Sequence, residues 1–541
     1  MTTTSDIVAA ALAEAGVQYV FGYPGGQNVR LIEGLRGSGV EFVLVTHEAS
    51  AGFMADACAR LTGRAGACLS TLGPGATNMT TGVGNAFLDR VPVVAITGKM
   101  GRKWRNRTVQ MQIDHRALFA PITKWSAEIE PASARETVRR AVELAQAEQP
   151  GPVHLDFGED AAEEACEAVA LDAPGRPADG PGRAVTMPGE TALAGMEAAI
   201  EGARYPLLVV GLTANRSAIT GLLRRVVARH RLPVVTTLMA KGQVAETDPC
   251  FVGVVGRARR DLVARFCGPA DLVIAVGYDP VEFNYEDWVP RNVPIVHIDT
   301  VAADLAASHS LAVDVVGDIA PSLERLLALP PIRHEWELAA LPSHRSELRA
   351  ALTVPRNGFA PHDVVETMRD LLPSDGMLVA DVGAHTHLIG QLWDTHGPGN
   401  FLVSNGWSSM GFCVPAAIAA QLVAPDRPVV GCTGDGGFLM MVGEINTAVR
   451  LRLPVIFVVL RDRYLSLIKV KQSRRGFPWS GVELVGEGYR SSDTFFGAPV
   501  TVAESAEAFR AAFANALAGR DRRRPVVIEA VVDPAEYDEL V

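Results

Sequence analysis

Short, unbroken apolar runs recur along the chain and alternate with stretches of helical periodicity. The runs are EFVLV at 41–45, VPVVAIT at 91–97, PLLVVG at 206–211, PVVTTL at 233–238, ADLVIAVG at 270–277, PVVGCTG at 428–434 and PVIFVVL at 454–460. A strand with one wet face alternates polar and apolar residues, and these do not. The pattern predicts parallel strands covered on both faces by helices, hence an α/β class built from doubly wound units. Two segments break the alternation. Residues 171–189, LDAPGRPADGPGRAVTMPG, are rich in Pro and Gly, and residues 329–344, LPPIRHEWELAALPSH, are bounded by prolines. Read as linkers, they divide the chain into domains at about 1–170, 190–328 and 345–541, each with one open parallel sheet.

Composition narrows the function. The chain has 541 residues, 48% of them hydrophobic and 21% charged, as in an ordinary globular protein. Its net charge of −11 argues against nucleic-acid and anionic-membrane partners but leaves small anionic substrates open. The seven cysteines (58, 68, 166, 250, 267, 413 and 432) form no CxxC pair, which fits a reducing compartment. The start, MTTTSDIVAAALAEAG, has no basic segment and reads as a capped amphipathic helix rather than a signal peptide. No 18-residue apolar run is present, so a cytoplasmic location is expected.

The sharpest chemical signal lies in the last third. The run PVVGCTGDGGFLMM reads as a strand, then Gly434, Asp435, Gly436 and Gly437, then a helix. Glycines at such a junction let backbone N–H groups approach a phosphate, and Asp435 stands where a carboxylate can hold a phosphate-bound cation. Asp462 follows 27 residues later, at the end of the next predicted strand. In a parallel sheet both carboxylates fall on one edge. The plain alternative is a tight turn with a capping Asp. In the first third, Glu48 opens a helix directly after a buried-looking strand, where a Glu can also be a simple dipole partner. Gly73, Pro74, Gly75 and Asn78 form another strand-to-helix turn of the ligand-binding kind. VADVGAHTHLIG places His385 in a loop beside Gly383, as an anion ligand or a solvated histidine. Met410 precedes a small-residue helix, where a Met is ordinarily core.

Taken together, FGYPGG, THE, GPGATN, ITKW, VVTTLMAKG, DVGAH, SSMG and GDGG, in this order from about residue 5 to 535, resemble the thiamine-diphosphate-dependent acetolactate synthase family. The resemblance implies a pyrimidine-binding domain, a Rossmann-like middle domain and a diphosphate-binding domain. It implies that Glu48 hydrogen-bonds the cofactor's pyrimidine nitrogen, that Met410 wedges the cofactor into a bent form, and that the Ser408 carbonyl accepts from its amino group. It implies that Asp435, Asp462 and the backbone oxygen of Tyr464 hold Mg. Gly383, His385, Gly434, Gly436 and Gly437 would contact the diphosphate, with Gly25, Gly26, Pro74 and Asn78 also at the cofactor. The implied activity is decarboxylation of a 2-oxo acid, most simply pyruvate, and transfer of the acyl-anion unit to a carbonyl acceptor. The implied site lies between two subunits of a homodimer or homotetramer, with Glu48 from one and Asp435 from the other.

Some positions depart from the family pattern. Leu460-Arg461-Asp462 stands where LNN is common, and Asp at the last place is shared with catabolic members. VGYDPVEFNYEDW at 276–288 resembles the flavin-free catabolic enzymes, so FAD is not expected. The family's catalytic Gln falls on Gln110 or Gln112 of QMQID, and both remain open. Gln27 and Lys471 stand where catabolic members have Lys and biosynthetic members have Trp. Lone His115, without the His-His pair of many decarboxylases, argues against simple aldehyde release. A flavin-dependent oxidase and a non-catalytic regulatory relative are further readings, the latter opposed by the presence of Glu48, Asp435 and Asp462. Lastly, KMGRKWRNR at 99–107 holds five basic residues, and Lys469, Lys471, Arg474 and Arg475 cluster downstream. They are either solvated loops or a funnel for an anionic substrate.

Overall fold

The computed structural model describes residues 2–105, 107–166, 186–353, 358–484, 486 and 491–538. They form an α/β protein with parallel-dominated sheets. The first sheet contains β1 (Tyr19–Gly22), β2 (Glu41–Leu44), β3 (Gly66–Ser70), β4 (Val93–Lys99), β5 (Ser126–Glu128) and β6 (Val153–Gly158), in the order β2-β1-β3-β4-β6-β5. The second contains β7 (Pro206–Val210), β8 (Val234–Thr236), β9 (Phe251–Val254), β10 (Leu272–Val276), β11 (Ile295–Asp299) and β12 (Leu311–Val316), in the order β12-β11-β10-β7-β8-β9. The third contains β13 (Met377–Ala380), β14 (Phe401–Val403), β15 (Val429–Gly434), β16 (Ile456–Arg461), β17 (Thr494–Phe495), β18 (Ala498–Ala503) and β19 (Val526–Val531), in the order β14-β13-β15-β16-β19-β18-β17. Among the strands of the described residues, β17 and β18 alone pair antiparallel.

The apolar runs become these strands because helices cover both sheet faces. Strands β3, β7, β10 and β11 are buried at every residue. EFVLV is the exception. It forms β2 at a sheet edge, where a strand loses one neighbour, and Leu44 is exposed.

Each sheet has one point where the chain, having wound outward in one direction, returns to wind in the other. These points lie between β1 and β3, between β7 and β10, and between β13 and β15. There the loops leaving the strand ends diverge and open a crevice, which is where open α/β sheets bind ligands.

The helix Glu48–Thr62 is buried along its whole length to Ala59. It packs on the helix Pro74–Leu88, with Gly52 facing Gly82 so closely that a Cβ on Gly52 would lie 2.7 Å from the Gly82 Cα. It also packs on the helix Cys413–Val423, which joins the first and third sheets in one buried cluster. Another cluster links the second and third sheets.

The predicted linkers fare differently. Most of 171–189 lies outside the described residues. The segment 329–344 is a packed strap rather than a free tether: the Trp336 Nε1 donates to the Pro206 carbonyl at 2.9 Å, and Leu341 opens a helix, Leu341–Leu352, with its side chain fully buried. The N-terminal helix Thr4–Glu14 is capped as expected, the Thr3 N–H donating to the Asp6 carboxylate at 2.8 Å.

Candidate active site

The third sheet builds a small cleft of about 90 Å³ at its switch point, lined by Gly383, His385, Met410, Asp435, Asp462 and Tyr464 among others. Register explains the convergence. Gly434 pairs with Leu460 across β15 and β16, so Asp435 and Asp462 leave the same edge. Asp435 accepts from the N–H groups of Gly436 at 2.9 Å and Arg463 at 2.8 Å. Asp462 accepts from the Tyr464 N–H at 2.9 Å and the Ser466 hydroxyl at 2.7 Å. Both are buried, and burial raises both carboxyls; for Asp435 the charge of Asp462 adds to the rise. Two buried, facing carboxylates of this kind suit a divalent cation, which would reverse the shift.

Close glycine packing forms the rest of the cradle. A Cβ on Gly436 would meet the Met410 methyl at 2.9 Å, and one on Gly437 would meet the Asp381 Oδ2 at 2.5 Å. His385 is not in a solvated loop. Residues Ala384–Leu392 are helical, His385 sits in the first turn, and its ring packs on Gly383 and near Gly434. It leaves the loop state because Gly383 and Thr386 cap that turn, with the Gly383 N–H donating to the Thr386 hydroxyl at 3.0 Å. Burial pushes His385 down to about 4, and its Nε2 is buried with no partner among the described residues. An anionic group here would draw a proton onto that nitrogen and reverse the shift, so with the glycine backbone and the two carboxylates the set fits a diphosphate with its cation.

Asp381, not singled out in the sequence, holds this cleft together. It is fully buried just past β13 and accepts from the Val382 N–H, the Gly411 N–H and the Thr433 hydroxyl, each at 2.8 Å. It thus ties two strand ends to the turn that carries Met410. A lone Asp directly after an apolar strand was the available signal. Ser408 lies on that turn with φ +52°, its hydroxyl donating to the Asn405 carbonyl at 2.5 Å.

The first sheet builds a second group at its own switch point. Glu48 is the first residue of its helix, with His47 as N-cap. It is buried, and its Oε2 accepts from the Asn78 amide at 3.0 Å. Its Oε1 lies 3.2 Å from where a Cβ on Gly75 would stand, so glycine there leaves that oxygen room. Pro74 opens the helix that carries Asn78. Gly25 is wedged against Thr71, a Cβ there meeting the Thr71 Oγ1 at 2.4 Å, whereas Gly26 faces open space. The two glutamines do not join Glu48. Gln112 turns back onto its own loop, nearest the Arg107 carbonyl at 3.3 Å, and Gln110 is exposed.

Most of the basic residues at 99–107 are already engaged. Lys99 and Arg105 pair with Glu128, Arg102 pairs with Asp160 and Glu164, and Lys103 and Arg107 lie over the Trp104 ring. Lys469 is buried between the Tyr464 and Trp479 rings, 4.6 and 4.4 Å from their centroids. Lys471, Arg474 and Arg475 remain exposed.

Three stretches of the chain match family models. Residues 2–118 match the thiamine pyrophosphate enzyme N-terminal TPP binding domain, 193–326 the central domain and 381–530 the C-terminal TPP binding domain. An enzyme named "Acetolactate synthase, catabolic", from Raoultella terrigena, is 31% identical over 98% of this chain and 95% of its own. The chain belongs to the thiamine-diphosphate-dependent, acetolactate synthase-like enzymes. The acetolactate synthase of Bacillus subtilis (strain 168) is 29% identical, covering 99% of this chain and 96% of that protein. The acetolactate synthase large subunit of Parasynechococcus marenigrum (strain WH8102) is 33% identical over 92% and 81%. No helix among the described residues of this thiamine-diphosphate enzyme is long and apolar enough to cross a membrane.

The middle switch point, between β7 and β10, is tightly packed at its strand ends, and a cavity of about 380 Å³ opens beside it, lined by Leu212, Asn215, Arg216 and Met239 among others. Gly211 sits so near β10 that a Cβ would meet the Gly277 carbonyl at 2.6 Å. The Glu282 carboxylate accepts from the N–H groups of Leu212 at 2.7 Å and Met239 at 3.1 Å, and burial pushes it up to about 8.

Proposed function

We propose that this enzyme decarboxylates a 2-oxo acid, most simply pyruvate, and transfers the acyl-anion unit to a carbonyl acceptor at a site made by two copies of the chain. The observation that carries this is the separation of the two half-sites. The cleft around Asp435 and Asp462 draws all its lining from residues 382 to 537, while Glu48 and Asn78 stand at the edge of the first sheet. A homodimer or homotetramer joins one half to the other.

The roles follow from the surroundings. Glu48, oriented by Asn78, holds a proton at the pyrimidine nitrogen. Met410, backed by Gly436 and Asp381, supports the bent cofactor, and the Ser408 carbonyl accepts from its amino group. Asp435, Asp462 and the Tyr464 carbonyl take Mg. Gly383, His385, Gly434, Gly436 and Gly437 receive the diphosphate. Gly25, Gly26 and Pro74 border the pyrimidine side. Thiamine diphosphate, when bound, supplies the electron sink for loss of carbon dioxide. Of the two glutamines, Gln110 is the better placed to reach a second copy, because Gln112 is engaged with its own loop. The VGYDPVEFNYEDW segment supports an enzyme without FAD, and the domains are placed at 1–170, 190–328 and 345–541. A cytoplasmic location fits the free cysteines.

A second reading, an anionic substrate other than pyruvate, is favoured by Lys471 and Arg257. Lys471 is exposed on the helix Ser466–Arg474, whose first turn lines the cleft, and the Arg257 guanidinium is buried and bonds Asn405. Burial pushes Arg257 down to about 10, a shift that a substrate anion would relieve.

Complementation tests the shared site. Glu48→Gln and Asp435→Ala should each be inactive alone. Co-expressed, they should recover about a quarter of wild-type carbon dioxide release, because half the dimers carry one intact site of two. No recovery in a proven heterodimer would refute the two-chain site. Mass spectrometry of products from a panel of 2-oxo acids then names donor and acceptor.

A further inference from the structure

We propose that His115 is a positioning residue that locks the Gly73–Asn78 turn onto Glu48 through a buried relay anchored on Asp156. The proposal rests on the reading of Glu48 given above.

Gly73 adopts φ +59° and ψ −107°, a conformation suited to glycine, and a Cβ there would meet the Met111 carbonyl at 2.4 Å. Its N–H is buried and needs an acceptor. His115 Nε2 provides one at 3.1 Å. An accepting Nε2 fixes the ring proton on Nδ1, which faces the Asp156 Oδ1 at 2.7 Å. The same oxygen accepts from the Thr97 hydroxyl at 2.6 Å. The Thr97 oxygen is then free to accept from the His154 Nε2–H at 2.8 Å, and His154 Nδ1 accepts from the Ser126 hydroxyl at 2.7 Å.

Each bond in this chain has one donor and one acceptor. The sheet makes it possible. Thr97 on β4 pairs with Asp156 on β6, and Ser126 on β5 pairs with His154 on β6, so the side chains share one face. His115, Asp156, Thr97 and His154 are all buried.

The relay ends where Glu48 is oriented. Five residues after Gly73, the Asn78 amide donates to Glu48 Oε2, and Gly75 lies beside Oε1. His115 also opens the helix His115–Phe119 that follows the QMQID loop, so one side chain joins the loop to the turn. Without the His115 acceptor, the Gly73 N–H is orphaned and the turn gains freedom, and with it Asn78.

The test compares His115→Phe and His115→Gln in the full-length protein. The Gln Oε1 can accept from the Gly73 N–H, whereas Phe cannot. In the protein without cofactor, hydrogen exchange of the 71–78 segment should quicken about fivefold or more in His115→Phe and stay near wild type in His115→Gln. With Mg and thiamine diphosphate, kcat for carbon dioxide release should fall about tenfold in His115→Phe, with KM and cofactor Kd within about twofold, and largely recover in His115→Gln. Unchanged exchange at 71–78, or faster exchange with unchanged kcat, would overturn the proposal. So would an equal loss in both variants, which marks a merely structural role. If His115→Phe does not fold, Thr97→Val breaks the relay one bond away and should give the same pattern at smaller amplitude; wild-type behaviour would overturn the relay. A wild-type protein that decarboxylates no 2-oxo acid would instead refute the proposed function, and the exchange data would still judge the lock.

Discussion

Asp381→Asn isolates one buried charge at the centre of the cleft. The carboxyl is fully buried, and burial, its largest influence, pushes it up to about 6 from an ordinary 3.8. Its three N–H and O–H donors at 2.8 Å oppose that rise without cancelling it. A shift of about two units corresponds to roughly 3 kcal/mol between the two protonation states. The sign follows from proton binding. Between about pH 4 and 6 the folded state holds a proton that the unfolded chain has released, so the contribution of this group to stability falls as pH rises through that window. Above about 6 the penalty is constant. Asn is isosteric and cannot ionise. Its oxygen can keep the Val382 and Gly411 N–H groups, and its NH2 can donate to the Thr433 oxygen, whose hydroxyl hydrogen then turns from position 381 to the Gly434 carbonyl 2.9 Å away. Urea midpoints of the cofactor-free protein, measured from pH 4.5 to 8, should therefore rise in the variant relative to wild type, with the gain growing up to about pH 6 and flat beyond it. Because Gly411 stays tethered and Met410 stays in place, thiamine diphosphate affinity should change by less than about tenfold. Parallel curves for the two proteins across pH would show that Asp381 carries no buried charge. A collapse of cofactor binding would show that the negative charge, rather than the tie, holds the Met410 turn.

Glu48→Gln should lower carbon dioxide release about 100-fold or more while leaving the fold intact, since a proton partner at the reacting centre is lost; near-normal turnover at saturating cofactor would remove that role. Asp435→Ala and Asp462→Ala should each weaken thiamine diphosphate binding at fixed Mg, and Asp462→Asn should do so less because it keeps one oxygen; equal affinities in titration would take Asp462 out of the cation site. Lys471→Met should raise the KM for an anionic acceptor with donor decarboxylation nearly unchanged, and a joint change in both half-reactions would rule out an acceptor role. The purified protein should be colourless, as the segment from Gly277 to Asp287 implies; the absorbance bands of a bound flavin would refute that reading.

The order of motifs and the buried character of the apolar runs were legible along the chain, because period and composition are local properties. They were enough to give three parallel sheets, the helix starting at Glu48, and the strand-end placement of Asp435 and Asp462. What lay beyond them depended on atoms brought from distant positions. Asp381 looked like any Asp after a strand until folding set the Gly411 N–H and the Thr433 hydroxyl on it. His385 looked like a loop histidine until the Gly383–Thr386 cap drew it into a helix and buried it. The basic run at 99–107 looked free until Glu128, Asp160 and Glu164 met it from other elements, and Lys469 until two rings enclosed it. A carboxylate's partner, a ring's tautomer and a cation's freedom depend on contacts between residues far apart in sequence. Sequence patterning could therefore name the chemistry of each half-site, while only the packed sheets decided which groups face one another and which are already satisfied.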